Sequence, residues 1–77
     1  MPTIIDILVE RENRLLSVLN YALALLRGRD IPIIAAAQID EPLSGSARRG
    51  RIVLQNAADK ERAIELLTAA RIDASPL

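Results

Sequence analysis

Four consecutive polar residues, Arg11, Glu12, Asn13 and Arg14, together with Glu10 before them, separate an apolar segment ending at Val9 from an apolar-periodic one beginning at Leu15. The chemistry open to them is recognition of a small anion. Backbone amides at a helix start receive a carboxylate, and an Asn amide or Arg guanidinium adds side-chain hydrogen bonds. The same residues also make an ordinary solvated loop with Asn13 as helix N-cap. A second basic cluster, Arg48, Arg49 and Arg51 around Gly50, has the side chains for phosphate or nucleic acid. Ten basic residues balance ten acidic ones, however, and Tyr21 is the one aromatic residue. With no net field and no platform for base stacking, a solvated hairpin is the better reading and nucleic acid is not an expected partner. Asp40 and Glu41 stand near enough in sequence to neutralise the cluster. Asp6, Glu10 and Glu12 form a weak set for a hard metal or for acid–base work. Asp6 sits inside an apolar segment, where a carboxylate needs hydrogen-bond partners, and an interface would supply them.

The chain has no Cys and no His. Disulfides, thiolate metal sites, the commonest zinc ligand and the commonest general base are therefore missing. No Ser or Lys stands in a recognised nucleophile setting. The expectation is a protein that is not an enzyme, with no catalytic residue, no metal and no cofactor.

The elements that would position these residues follow from hydrophobic spacing. Thr3 to Val9 is short and rich in β-branched residues, which predicts a strand largely buried on both faces. Leu15, Val18, Leu19, Ala22, Leu25 and Leu26 recur at helical spacing, and Arg27-Gly28-Arg29 ends that helix, Gly28 suiting a left-handed C-terminal position. Leu16, Tyr21 and Leu23 fall outside the main stripe, which predicts a second packing surface. Ile31 to Ile39 predicts strand two, with Pro32 at its start or on a sheet edge. Asp40 to Arg49 carries Pro, Gly and two Ser and predicts a mobile hairpin connection, and Gly50 to Gln55 a third strand. Asp59 predicts an N-cap for a helix over Lys60 to Ala70, and Ile72 to Ala74 a weak fourth strand.

The order is β-α-β-β-α-β in one domain spanning 1–77. The fold class is α+β, a ferredoxin-like four-stranded antiparallel sheet with two helices on one face. At 77 residues the core is small, and nothing in the chain is left to cover the other sheet face. A homo-oligomer is expected. The longest apolar stretch, Leu15 to Leu26, contains Ser17 and Asn20 and falls short of the about 20 residues of a spanning helix, so no membrane partner is expected. The start Met-Pro-Thr-Ile-Ile-Asp has no basic region or cleavage site, and the expected location is cytoplasmic.

Leu8-Val9-Glu10-Arg11-Glu12-Asn13-Arg14, then Val18-Leu19, then Ile31-Pro32-Ile33, resembles the first half of an ACT domain. That family has a strand, a loop of the type Glu-Asn-Arg-Pro-Gly, a helix beginning Leu-x-x-Val-Leu, and Gly-Ile-Asn-Ile opening strand two. Arg51-Ile52-Val53-Leu54, Asp59-Lys60-Glu61-Arg62-Ala63 and Leu66-Leu67-x-Ala69-Ala70-x-Ile72 resemble its second half. Leu15 and Leu16 stand where the family has Pro-Gly; in another register Asn13 takes the glycine position, since Asn tolerates the left-handed region. Pro32 replaces the Asn of strand two.

The resemblance implies a small allosteric, regulatory module that binds an amino acid at a dimer or higher interface. It places the ligand on Arg11, Glu12, Asn13, Arg14 and Leu15. Leu16, Tyr21, Leu23 and Pro32 are the expected interface residues. The alternative is a ligand-free interaction module or the regulatory subunit of a larger enzyme.

Overall fold

The computed structural model describes residues 1–39 and 45–77. The connection at 40–44 lies outside them, and with it the first half of the predicted mobile hairpin and any neutralising role of Asp40 and Glu41. Four strands alternate with two helices: β1 (Thr3–Val9), α1 (Leu15–Arg27), β2 (Ile33–Ile39), β3 (Arg48–Leu54), α2 (Lys60–Ala69) and β4 (Asp73–Pro76). The sheet is antiparallel in the order β2-β3-β1-β4. The fold is thus α+β with βαββαβ topology, ferredoxin-like. No helix among the described residues is long and apolar enough to cross a membrane.

The sheet's two faces follow from strand alternation. Ile5, Ile7 and Val9 of β1 and Ile52 and Leu54 of β3 point beneath the helices and are buried. Leu15, Leu19, Ala22 and Leu26 of α1, spaced at one helix face, meet Ala63 and Leu67 of α2 over them. The largest fully buried side chains are Ile5, Ile7, Leu26, Ile31, Ile52, Leu54 and Leu67. Burying each contributes about 1.5–3 kcal/mol relative to exposure.

One glycine sets how closely α1 docks. Gly50 is buried on β3 opposite Ile7, under the helix. A Cβ there would lie 3.0 Å from Ile7 Cγ1 and 3.3 Å from Leu19 Cδ1. A side chain at this position would therefore require the buried Ile7 and Leu19 side chains to give by a few tenths of an ångström.

Several local expectations are corrected. Asp59 stands at the N-cap position of α2 as expected but makes no side-chain cap hydrogen bond, and the N-cap of α1 is Arg14 rather than Asn13; 3₁₀ turns, Glu12–Arg14 and Ala57–Asp59, lead into both helices. The helix-entry N–H groups are partly met by such turns, as Arg14 N donates to Arg11 O at 3.0 Å. Gly28 is right-handed at φ −65. The left-handed residue after α1 is Asp30, at φ 58, and its counterpart after α2 is Arg71, at φ 64. β1 is not buried evenly on both faces, because Ile4 is half-buried and Leu8 exposed on the side without helices. β2 begins at Ile33, two residues later than predicted, with Pro32 just ahead of it and Ile31 buried in the connection. β3 begins two residues earlier than predicted, at Arg48, so the basic cluster belongs to a strand rather than to a hairpin tip.

Candidate functional site

The β1–α1 loop is held from the opposite strand. Ser46 Oγ donates to Glu10 O at 3.0 Å, and Arg48 Nη2 meets Glu12 Oε2 at 3.2 Å. These two contacts fix the loop against the start of β3. Arg11, Glu12, Asn13 and Arg14 are exposed along it. Leu15 is not: it is 4 % exposed and belongs to the core, so it presents nothing to a ligand. As the first residue of α1 it stands on the same helix face as Leu19 and Leu26, and that face is buried.

Two depressions flank the loop. One, of about 600 Å³, is lined by Arg11, Glu12 and Asn13 together with Gln38 of β2 and Ser46. The other, of about 680 Å³, lies on the α2 side and has Arg11 and Arg14 on its loop wall. Arg11 therefore borders both. Gln38 carries the first depression to the outer edge of the sheet, because β2 is an edge strand.

Among the described residues, no further strand pairs with that edge. β2 reads Ile-Ile-Ala-Ala-Ala-Gln-Ile, seven residues without a charge, and Ile34 to Gln38 are exposed. The opposite edge, β4, has four residues and carries Asp73 and Pro76. Short length, a charge and a proline are the usual devices that keep a sheet edge from pairing with another chain. β4 has them; β2 has only a register irregularity between Ile33 and Ala35.

The predicted interface residues divide between the two flanks of α1. Tyr21 lines the depression on the α2 side, near Ala70 and Arg71. Leu16 and Leu23 are seven residues apart on the opposite flank of α1, Leu23 half-buried and packed against the core. Leu16 is 56 % exposed. Pro32 is exposed at the head of β2, and its carbonyl accepts from Gln55 N at 3.2 Å. Leu16, Leu23, Pro32 and the β2 backbone thus share one side of the molecule.

The remaining cluster is on the sheet face that no helix covers. Asp6 lies opposite Arg51 in the β1–β3 register, and Arg49 stands one pleat along. Arg51 Nε donates to Asp6 Oδ1 at 2.9 Å and Nη2 to Oδ2 at 3.3 Å, while Arg49 Nε is 3.5 Å from Oδ2. Asp6 is only 6 % exposed beneath these guanidinium groups. Its partners come from within the chain rather than from an interface. Two of the three arginines that read as a solvated hairpin therefore satisfy a buried carboxylate, and the third anchors Glu12. The signal missed was the lone Asp inside an apolar strand, which requires a cationic partner on the neighbouring strand. Comparison with family models, curated proteins and solved structures returns no significant match, so the geometry of the loop and the β2 edge carries the functional reading.

Proposed function

We propose that this chain is a regulatory module that self-associates through the β2 edge and takes an amino acid in the depression between the β1–α1 loop and that edge. The observation that carries this reading is the uncharged, exposed β2 strand with Asn13 and Gln38 facing a common depression beside it. Antiparallel pairing of β2 with its copy would continue the sheet to eight strands, supplying hydrogen bonds to the open backbone groups. Leu16 and Leu23 of the two α1 helices would meet above the seam. A ligand beside Gln38 would then touch both subunits and favour the paired state by its differential affinity for it. This arrangement is in keeping with the resemblance of the Leu8–Arg14 and Ile31–Ile33 segments to an ACT domain.

Sedimentation with and without each amino acid at millimolar concentration tests the reading. The expected result is a dimer or higher oligomer whose stability rises with one class of amino acid, and an Asn13→Ala variant that still associates but loses that response. A monomer unaffected by every amino acid would sink the proposal. An oligomer of unchanged size and stability with all of them would favour the second reading, a ligand-free assembly module or enzyme subunit. That reading draws on Glu12, whose carboxylate is already engaged by Arg48.

A further inference from the structure

The depression on the α2 side of the loop is a separate place with its own chemistry. Three arginines line it: Arg11 and Arg14 from the β1–α1 loop and Arg71 from the turn after α2. None has an ion-pair partner among the described residues, whereas Arg48, Arg49, Arg51 and Arg62 all do. The carboxylates of Glu10 and Asp73 line the same groove without pairing to them, which leaves it one positive charge in excess. Leu8, Val18, Tyr21 and Ile72 supply an apolar wall. Its volume of about 680 Å³ falls within the range of small-molecule pockets.

Arg71 is the most informative member. It occupies the left-handed position after a helix, at φ 64, where glycine is the favoured residue. A long cationic side chain is held there against its backbone preference and contributes to a groove that already holds two arginines. Conformations of this kind concentrate where a side chain has a task.

We infer that this groove binds a small monocarboxylate with an apolar body, its carboxylate held by the guanidinium forks of Arg14 and Arg71 and its body resting against Tyr21 and Val18. The planar fork of Arg matches a carboxylate in geometry. The single excess charge favours a monoanion over a phosphate dianion. The site is built within one chain and does not depend on the amino-acid reading of the depression beside β2.

Tyr21 is the one aromatic residue of the chain, so intrinsic fluorescence reports this groove alone. Hexanoate is a transparent probe, and hexanamide is its neutral counterpart. The expected result is a saturable change in Tyr21 emission with hexanoate and none with hexanamide. Arg14→Gln and Arg71→Gly each weaken hexanoate binding about tenfold, the loss of one charge-assisted hydrogen bond. Glycine suits the backbone at position 71, so weaker binding there does not reflect a damaged fold. Asn13→Ala leaves hexanoate binding unchanged while removing any amino-acid response, which separates this proposal from the previous one. The proposal is overturned by no saturable change, by an equal response to hexanamide, by tighter binding of hexyl phosphate, or by binding that survives both Arg substitutions.

Discussion

Asp6 and Arg51 face each other across the β1–β3 ladder, 45 residues apart in sequence, with Arg51 Nε 2.9 Å from Asp6 Oδ1. The pair lies on the open sheet face, yet the carboxylate is almost wholly buried. Arg49 covers its second oxygen. Together they let an apolar central strand carry a charge without leaving it unsatisfied.

Removing one partner of this pair should cost more than removing both. Arg51→Ala leaves a buried carboxylate with only the longer Arg49 contact, and a loss of about 1–3 kcal/mol is expected. Asp6→Leu combined with Arg51→Leu should recover much of that, because no buried charge is then left. Urea unfolding of the single and double variants measures the difference, and a double variant less stable than Arg51→Ala would contradict it.

Gly50→Ala should destabilise the protein by about 1–3 kcal/mol through overpacking. The added Cβ would stand 3.0 Å from Ile7 Cγ1 and 3.3 Å from Leu19 Cδ1, both in fully packed core side chains that must shift to admit it. Thermal unfolding reads the loss, and an unchanged Tm would show that α1 shifts without cost.

Left-handed backbone at a non-glycine residue is unfavourable by about 1–2 kcal/mol. Asp30→Gly and Arg71→Gly should each raise stability, by less than about 1 kcal/mol once the greater freedom of glycine in the unfolded chain is counted. Asp30 is the milder case, since Asp hydrogen-bonds locally in that region. The two variants should differ in ligand binding: of the pair, Arg71→Gly weakens hexanoate binding about tenfold and Asp30→Gly leaves it unchanged. Equal binding losses in both would point to a general effect of the substitutions.

Ala35→Lys places a charge on the exposed β2 edge without touching the core. It should shift sedimentation from oligomer to monomer while the circular dichroism spectrum stays unchanged. Leu16→Glu, on the helix flank above the same edge, should act in the same direction. Two variants that fold and still associate would place the interface elsewhere.

Much of this fold was legible in one dimension. The bounds of β1 at Thr3 and Val9 and the presence of a helix on the Leu15–Leu26 stripe followed from composition and spacing, because burial acts residue by residue and repeats with the period of the element. The sequence also set the chemistry available: a chain without His or Cys and with one aromatic residue. Helix entries were less legible. Asn13 and Asp59 are good caps by type; Asp59 does take the N-cap position of α2 but without a side-chain cap bond, and the tight turn before α1 moves its N-cap from Asn13 to Arg14.

What only the tertiary structure decided are the meetings between distant residues. Strand register, not strand identity, put Arg51 opposite Asp6 and Gly50 beneath Leu19. The second crossover carried Arg71 to the groove where Arg11 and Arg14 stand, a convergence no spacing announces. Left-handed backbone after each helix fell on Asp30 and Arg71 rather than on Gly28, because the packing of the helices fixes where the chain must turn. Local patterns record which side of an element is buried; which side chains meet depends on loop closure and register, and those are properties of the whole chain.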